Sequence, residues 1–379
     1  MGLARKIFWG SIAGLVHTHV TYPLSLAAVE RLRGRRAEPP APDELPAVSL
    51  IVAAFDEQEV IAAKVADALG QEYPRERLEL IVASDGSSDR TVELARAAGA
   101  DMVLDLPRAG KIATQNAAVE RSGGEIVAFS DANSTWEPGA LAALVAAFAD
   151  PDVGYACGRV AFTGDAGDDN EEGLYWRYET AVRELESGFG GITAGNGAIY
   201  AVRRAAYRFL PASRSHDLSF PFLLRKGGWR SVEVAAARAS EKLVPSAAGE
   251  FARKRRMMVG LPDIVLTDRM WDPRGYGPLF GYAIASHRLL RYASPLLHVL
   301  AFLANLVLLR RGRVYRLALA AQAGLLAAAA AGDSAPGPAG RIGRISRYYV
   351  LVTASIALGA WDRWRHGPPA AWEKSEGTR

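Results

Sequence analysis

The residues best equipped for chemistry are three short acidic runs, Phe55-Asp-Glu57, Asp85-Gly-Ser-Ser-Asp89 and Asp131-Ala-Asn133. Carboxylates crowded together repel one another unless a cation or a hydrogen-bonding ligand relieves them. Brought to one place, these runs are expected to hold a metal and a polar ligand. Asp131-Ala-Asn133 sets two oxygen side chains two residues apart, which suits a hard divalent cation whose other ligands are water and diphosphate oxygens. The same triplet also serves as an Asx-capped turn, so alone it does not decide the question.

The elements that must position these runs are legible in the hydrophobic pattern. Val48 to Ala54 is a continuous apolar run of strand length, and Ile61, Val65 and Leu69 then recur at helical spacing up to Gly70. Leu78 to Ser84 predicts a second strand, followed by a helix over 89–98 that Gly99 can close with a left-handed residue. Met102 to Leu104 predicts a third strand, Ile112 to Val119 a helix, and Glu125 to Ser130 a fourth strand. This alternation indicates a parallel, doubly wound α/β sheet. Ligands of such sheets bind beyond the carboxyl ends of the strands, where all three acidic runs fall.

The 379 residues carry 45 Lys and Arg against 41 Asp and Glu, and the basic residues are spread through loops, so nucleic acid is not an expected partner. One cysteine, Cys157, rules out an intrachain disulfide and a cysteine-built zinc site. Four uncharged apolar stretches flank the central region: Ile7–Val29, Tyr292–Leu309, Leu317–Gly332 and the weaker Tyr348–Trp361. The first is long enough, at about 1.5 Å per residue, to cross a hydrocarbon core roughly 30 Å thick. A cleaved signal peptide is the alternative, and its apolar run is ordinarily shorter. Arg31, Arg33, Arg35 and Arg36 follow the first stretch, which places the next segment in the cytosol. The expected organisation is a membrane helix within 1–36, a proline-rich linker at 37–46, a cytosolic domain at 47–285, a membrane region with two or three helices at 286–365, and a tail at 366–379.

From Val48 to about Leu309 the chain resembles the family 2 glycosyltransferases of GT-A fold, in particular membrane-bound members that build polysaccharides or glycolipids. Ala54-Phe-Asp-Glu57 is similar to the family's Ala-Tyr-Asn-Glu opening, and Ser84-Asp85-Gly-Ser-Ser-Asp89-Arg-Thr91 to its Asp-Gly-Ser-x-Asp-x-Thr stretch. Gly110-Lys111 with Asn116 resembles the segment facing the donor phosphates, Asp131-Ala-Asn133 the D-x-D position, and Gly195-Asn196-Gly197 with Tyr200 the acceptor-side loop. His216-Asp217 stands in the place of the family's acidic pair.

The resemblance implies a GT-A, Rossmann-like mixed and mainly parallel sheet flanked by helices, with membrane helices at both ends. It implies that Phe55, Glu57, Asp85, Lys111, Asp131 and Asn133 bind the donor, with Asp85 recognising uracil, and that Asp131 and Asn133 hold Mg²⁺ or Mn²⁺. Gly195, Asn196 and His216 would lie on the acceptor side, and Asp217 would be the general base of an inverting transfer from a UDP-sugar to a lipid or glycan. It further implies an integral protein of a bacterial inner membrane. Two features depart from the pattern. His216 replaces an acidic residue, and Arg253-Lys-Arg-Arg256-Met257 stands where processive members carry Gln-x-x-Arg-Trp. Arg253 and Arg256 could still reach a phosphate, or the stretch could lie on anionic lipid. The missing glutamine and tryptophan point to addition of one or a few sugars. A catalytically silent nucleotide-binding scaffold and a nucleotidyltransferase are the rival readings.

Overall fold

Helix α1 (Gly2–Arg33) runs through Pro23 without ending, because a π-helical turn at His17–Thr21 accommodates the N–H that proline lacks. The computed structural model describes residues 2–34, 44–163, 171–242, 246–332 and 337–367, so most of the expected linker and tail lie outside the described residues. The apolar runs then form strands and helices in the expected order. β1 (Val48–Ala54) is followed by α2 (Ile61–Leu69), β2 (Leu78–Asp85), α3 (Thr91–Ala97), β3 (Met102–Leu106), α4 (Lys111–Arg121) and β4 (Ile126–Asp131). Gly99 closes α3 at φ +96°.

β5 (Thr135–Trp136), α5 (Ala140–Ala146), β6 (Val153–Thr163), α6 (Glu171–Phe189), β7 (Ile199–Arg203), α7 (His216–Lys226), β8 (Arg230–Lys242) and α8 (Ala247–Met258) complete the α/β domain. Its eight strands lie in the order β3-β2-β1-β4-β7-β6-β8-β5. The first four are parallel, in the register that pairs Val48 with Leu78 and with Ile126. Beyond β4 the doubly wound pattern stops: β7 is antiparallel to β4 and to β6, and β5 to β8. The sheet is therefore mixed, and its second half was hidden in the sequence because β8 alternates charged, small and half-buried residues.

Alternation along β1 divides the core between two faces. Leu50, Val52 and Ala54 join Ile61, Val65 and Leu80 on one face, while Ile51 packs with Ile81, Phe129, Tyr155 and Tyr200 on the other. Burial on both faces explains the unbroken apolar character of the parallel strands.

Helices α9 (Ser294–Arg311) and α10 (Arg313–Ala331) are, with α1, long and apolar enough to cross a membrane. The fourth apolar stretch is part of a longer helix, α11 (Gly337–His366), which docks on α8. Asp362 of α11 receives two bonds from Arg255, at 2.6 and 2.7 Å. A Cβ on Gly359 would meet the Arg255 carbonyl at 2.8 Å, so the helices touch through backbone at that point.

Candidate active site

The carboxylates at the ends of β1 and β2 are relieved by the protein itself. Asp56 accepts from the Ser88 N–H at 2.8 Å, and its own N–H donates to Ser87 Oγ at 3.1 Å. Asp89 accepts from the Thr91 N–H at 2.9 Å and the Gln58 N–H at 3.1 Å. Asp85, which has no exposed surface, accepts from the N–H groups of Ala109 (2.7 Å) and Gly110 (2.9 Å) and from Thr114 Oγ1 (3.1 Å). Glu57 is buried, and its carbonyl accepts from the Val60 and Ile61 N–H groups at the start of α2. Much of the repulsion among the acidic runs is thus relieved by hydrogen bonds within the protein, at Asp56, Asp85 and Asp89.

Asp131, at the end of β4, is the carboxylate left facing the rim, its side chain 25% exposed, with Asn133 half-buried beside it. Lys111 reaches it from the first turn of α4 and forms an ion pair with Asp131 Oδ1. Gly110, at φ +94°, turns the chain into that helix, and its N–H is the one held by Asp85. Asp85 thus holds the loop that leads into Lys111. Gly197 covers the pair so closely that a Cβ there would lie 3.7 Å from Lys111 Nζ and 4.0 Å from Asp131 Oδ2. The neighbouring Gly195 N–H donates to the Asp217 carbonyl at 2.9 Å, and a Cβ on Gly195 would strike the Tyr155 hydroxyl at 2.0 Å. Residues from 111, 131, 195–197 and 217 are therefore brought to one place.

The electrostatics suit proton and phosphate chemistry. Burial pushes the Asp217 carboxyl above the usual carboxylate range, with the Ser215 hydroxyl and the Lys111 charge offsetting only part of the effect. Burial alone would lower the Lys111 ammonium, but the charges of Asp131, Asp217 and Glu241 outweigh it and raise its pKa, so it stays charged. Among the described residues no three His, Cys, Asp or Glu side chains form a metal-binding group. Asp131 and Asn133 supply hard oxygen donors, so they fit a Mg²⁺ or Mn²⁺ that takes its remaining ligands from diphosphate and water.

Two further basic residues belong to this region and escaped the sequence reading. Lys64 is buried in α2 and donates to Asp67 (2.7 Å) and to the Ser134 carbonyl (2.8 Å), fixing the turn after Asp131. The Arg108 guanidinium lies 3.1 Å above the Phe55 ring and 3.5 Å from Asp85. Its place three residues before Lys111 in Pro-Arg-Ala-Gly-Lys was the available signal.

Several expected residues have internal roles. His216 is 3% exposed, stacked on Phe220, with Nδ1 2.8 Å from the Tyr200 hydroxyl. Burial holds it neutral, with a pKa of about 3. Asn196 is buried, donating to the Gly158 carbonyl at 2.6 Å and accepting from the Ile199 N–H at 3.0 Å, which shapes its loop. Arg253 gives both Nε and Nη2 to Glu250 of the same helix, at 2.8 and 3.0 Å, and Arg256 lies one turn further along α8.

This mixed sheet with its flanking helices is of GT-A type. Residues 49–209 match the family described as Glycosyl transferase family 2, so the chain carries a family 2 glycosyltransferase domain. An N-acetylglucosaminyltransferase of Rhizobium meliloti is 29% identical over 224 residues, covering 53% of this chain and 52% of that protein. The glycosyltransferase AglE of Haloferax volcanii is 30% identical over 124 residues, covering 31% of this chain and 41% of that one. The chain spans about half the length of the curated relatives it matches. The mannosyltransferase PcManGT from Pyrobaculum calidifontis, solved in complex with GDP-Man and Mn²⁺, shares the fold with a TM-score of 0.75 over 96% of this chain and 99% of that one, at 21% identity.

Proposed function

We propose that this protein is an inverting, metal-dependent glycosyltransferase that moves a sugar from a nucleotide-diphospho-sugar to a membrane-associated lipid or glycan. The observation that carries the reading is the convergence of Asp217, its carboxyl raised by burial, on the Lys111–Asp131 pair beneath Gly197. Asp217 takes the proton of the acceptor hydroxyl as that oxygen attacks the anomeric carbon. Attack from the face opposite the leaving diphosphate inverts the centre. Lys111 places a fixed positive charge beside the leaving group. When bound by Asp131 and Asn133, Mg²⁺ or Mn²⁺ would neutralise the charge that develops on the diphosphate. A silent scaffold would have no use for this arrangement.

A UDP-sugar is our choice of donor, from the likeness of Ser84 to Thr91 to the family's uracil-recognising stretch. A GDP-sugar, the class held by the similar mannosyltransferase, is the other arm of the test. The three apolar helices and the arginines Arg31, Arg33, Arg35 and Arg36 support a membrane protein with residues 47–285 in the cytosol of a bacterial cell. Membranes containing the protein, incubated with a panel of nucleotide sugars, should yield a new glycosylated lipid or glycan by mass spectrometry with a UDP-sugar. The absence of product with every donor would overturn the reading. A reporter active only in the periplasm, fused near residue 240, should stay silent.

A further inference from the structure

A cavity of about 200 Å³ lies between α1, the end of α6 and the segment 279–283. Ser25, Leu26 and Val29 form one wall, and Phe189, Leu279 and Ala283 lie on the others. Its polar groups are already engaged. Ser25 Oγ lies 2.9 Å from the Tyr282 hydroxyl and donates to the Tyr22 carbonyl at 2.7 Å. The Glu186 carboxylate accepts from the Tyr22 hydroxyl at 2.7 Å and from the Thr193 N–H at 2.9 Å, and lies 2.7 Å from His287 Nδ1. The space left is apolar, and buried polar groups that are satisfied internally invite no polar ligand.

Two facts specify what fills it. Ser25 to Val29 form the last turn of the candidate span before Arg31 and Arg33, the depth at which a lipid's first methylenes follow its head. The opposite wall leads to the chemistry: Gly190 and Gly191 line the cavity, and Gly195 and Gly197 touch Asp217 and the Lys111–Asp131 pair. Six residues separate Gly191 from Gly197, at most on the order of 20 Å of extended chain. Glu186 ties α1 to that same segment through Tyr22 and Thr193.

We infer that this cavity receives the first part of the alkyl or isoprenoid chain of a lipid acceptor, holding its head group toward Asp217. The inference rests on the lipid-acceptor form of the proposed function. It assigns Val29 and Leu279 to chain binding, away from the donor.

The test uses the full-length protein in lipid nanodiscs and a diazirine-bearing hexadecyl phosphate as photoprobe. Adducts should map to peptides holding residues 25–29 and 279–283. Val29→Trp and Leu279→Trp should each cut that labelling about tenfold, the weight of about two excluded methylene groups, while nucleotide diphosphate affinity, the check on folding, stays unchanged. Labelling confined to the exposed Val307 and Leu326, or cavity labelling indifferent to both substitutions, would overturn the inference. The probe reads binding without turnover. Loss of the proposed transferase activity with cavity labelling intact would therefore be distinguishable from failure of the cavity itself.

Discussion

The two ends of the strand rim carry similar residues and use them differently. At β1 and β2, Asp56, Asp85 and Asp89 are bonded to N–H groups from neighbouring loops, and their charge is spent on holding those loops. At β4 and the 195–217 region, Asp131 meets a lysine and Asp217 keeps a raised carboxyl under a cover of glycines. Sequence chemistry alone makes these aspartates equivalent. What separates them is the balance: N–H groups satisfy the first set, whereas at Asp217 the bonds from the Leu218 N–H and the Ser215 hydroxyl do not offset burial. A carboxylate satisfied by N–H groups shapes the site, whereas one opposite a mobile cation or a proton can take part in the reaction.

The largest expected effect breaks the comparison at Asp131. Excess EDTA should abolish transfer, and Asp131→Ala should remove donor-dependent turnover with it, because Asp131 is one of the two candidate metal ligands. Full turnover in EDTA would show that Lys111 alone neutralises the diphosphate. Next comes Asp217→Asn, which keeps size but cannot accept a proton. Transfer should fall by about 10² to 10⁴, or roughly 3 to 5 kcal/mol of barrier, with nucleotide affinity within a few fold. The pH profile sharpens this. A raised carboxyl protonates at a higher pH than the ordinary value near 3.9, so the rate should fall as pH drops through that displaced value. The acid limb should be absent from the residual activity of the variant.

The parallel half of the fold was legible because strands buried on both faces must be apolar throughout, as β1 is from Val48 to Ala54. β8 offered no such signal, since one of its faces is half-open and its sequence mixes Arg, Glu and Ala. At the site, the positions of Lys111, Asp131 and Asp217 could be read from ordered motifs. The inward turn of His216 could not, because it depends on Phe129, Tyr200 and Phe220 closing around it in space. Glu186 was invisible for the same reason: Tyr22 and His287, its partners, stand 164 and 101 residues away.

Asp85 provides a third, intermediate effect. Asp85→Ala leaves the Ala109 and Gly110 N–H groups without their acceptor, at a cost of about 1 to 3 kcal/mol of stability measurable by denaturation. If Asp85 acts through the loop, affinities for UDP and GDP should weaken together. If Asp85 recognises uracil directly, the loss should be selective for UDP.

Arg253 should give the smallest effect, and it tests whether the basic stretch of α8 belongs to the reacting end at all. Its guanidinium makes two bonds to Glu250, with the pair's side chains 20% and 7% exposed, and Lys254 Nζ also reaches Glu250 at 3.2 Å. As a structural partner with such a neighbour, Arg253 matters to folding and not to the chemistry, and its loss is limited because Lys254 keeps the buried Glu250 carboxylate compensated. Arg253→Ala should then leave turnover within about threefold and donor affinity unchanged. A residue that grips the leaving diphosphate behaves otherwise, since removing a preorganised charge at the transition state costs about 10² or more in rate. Measuring turnover and nucleotide affinity on purified Arg253→Ala, with Arg253→Lys beside it, separates the two. A drop of a hundredfold, partly recovered by lysine, would move α8 from the scaffold to the reacting end and extend the site beyond Lys111, Asp131 and Asp217.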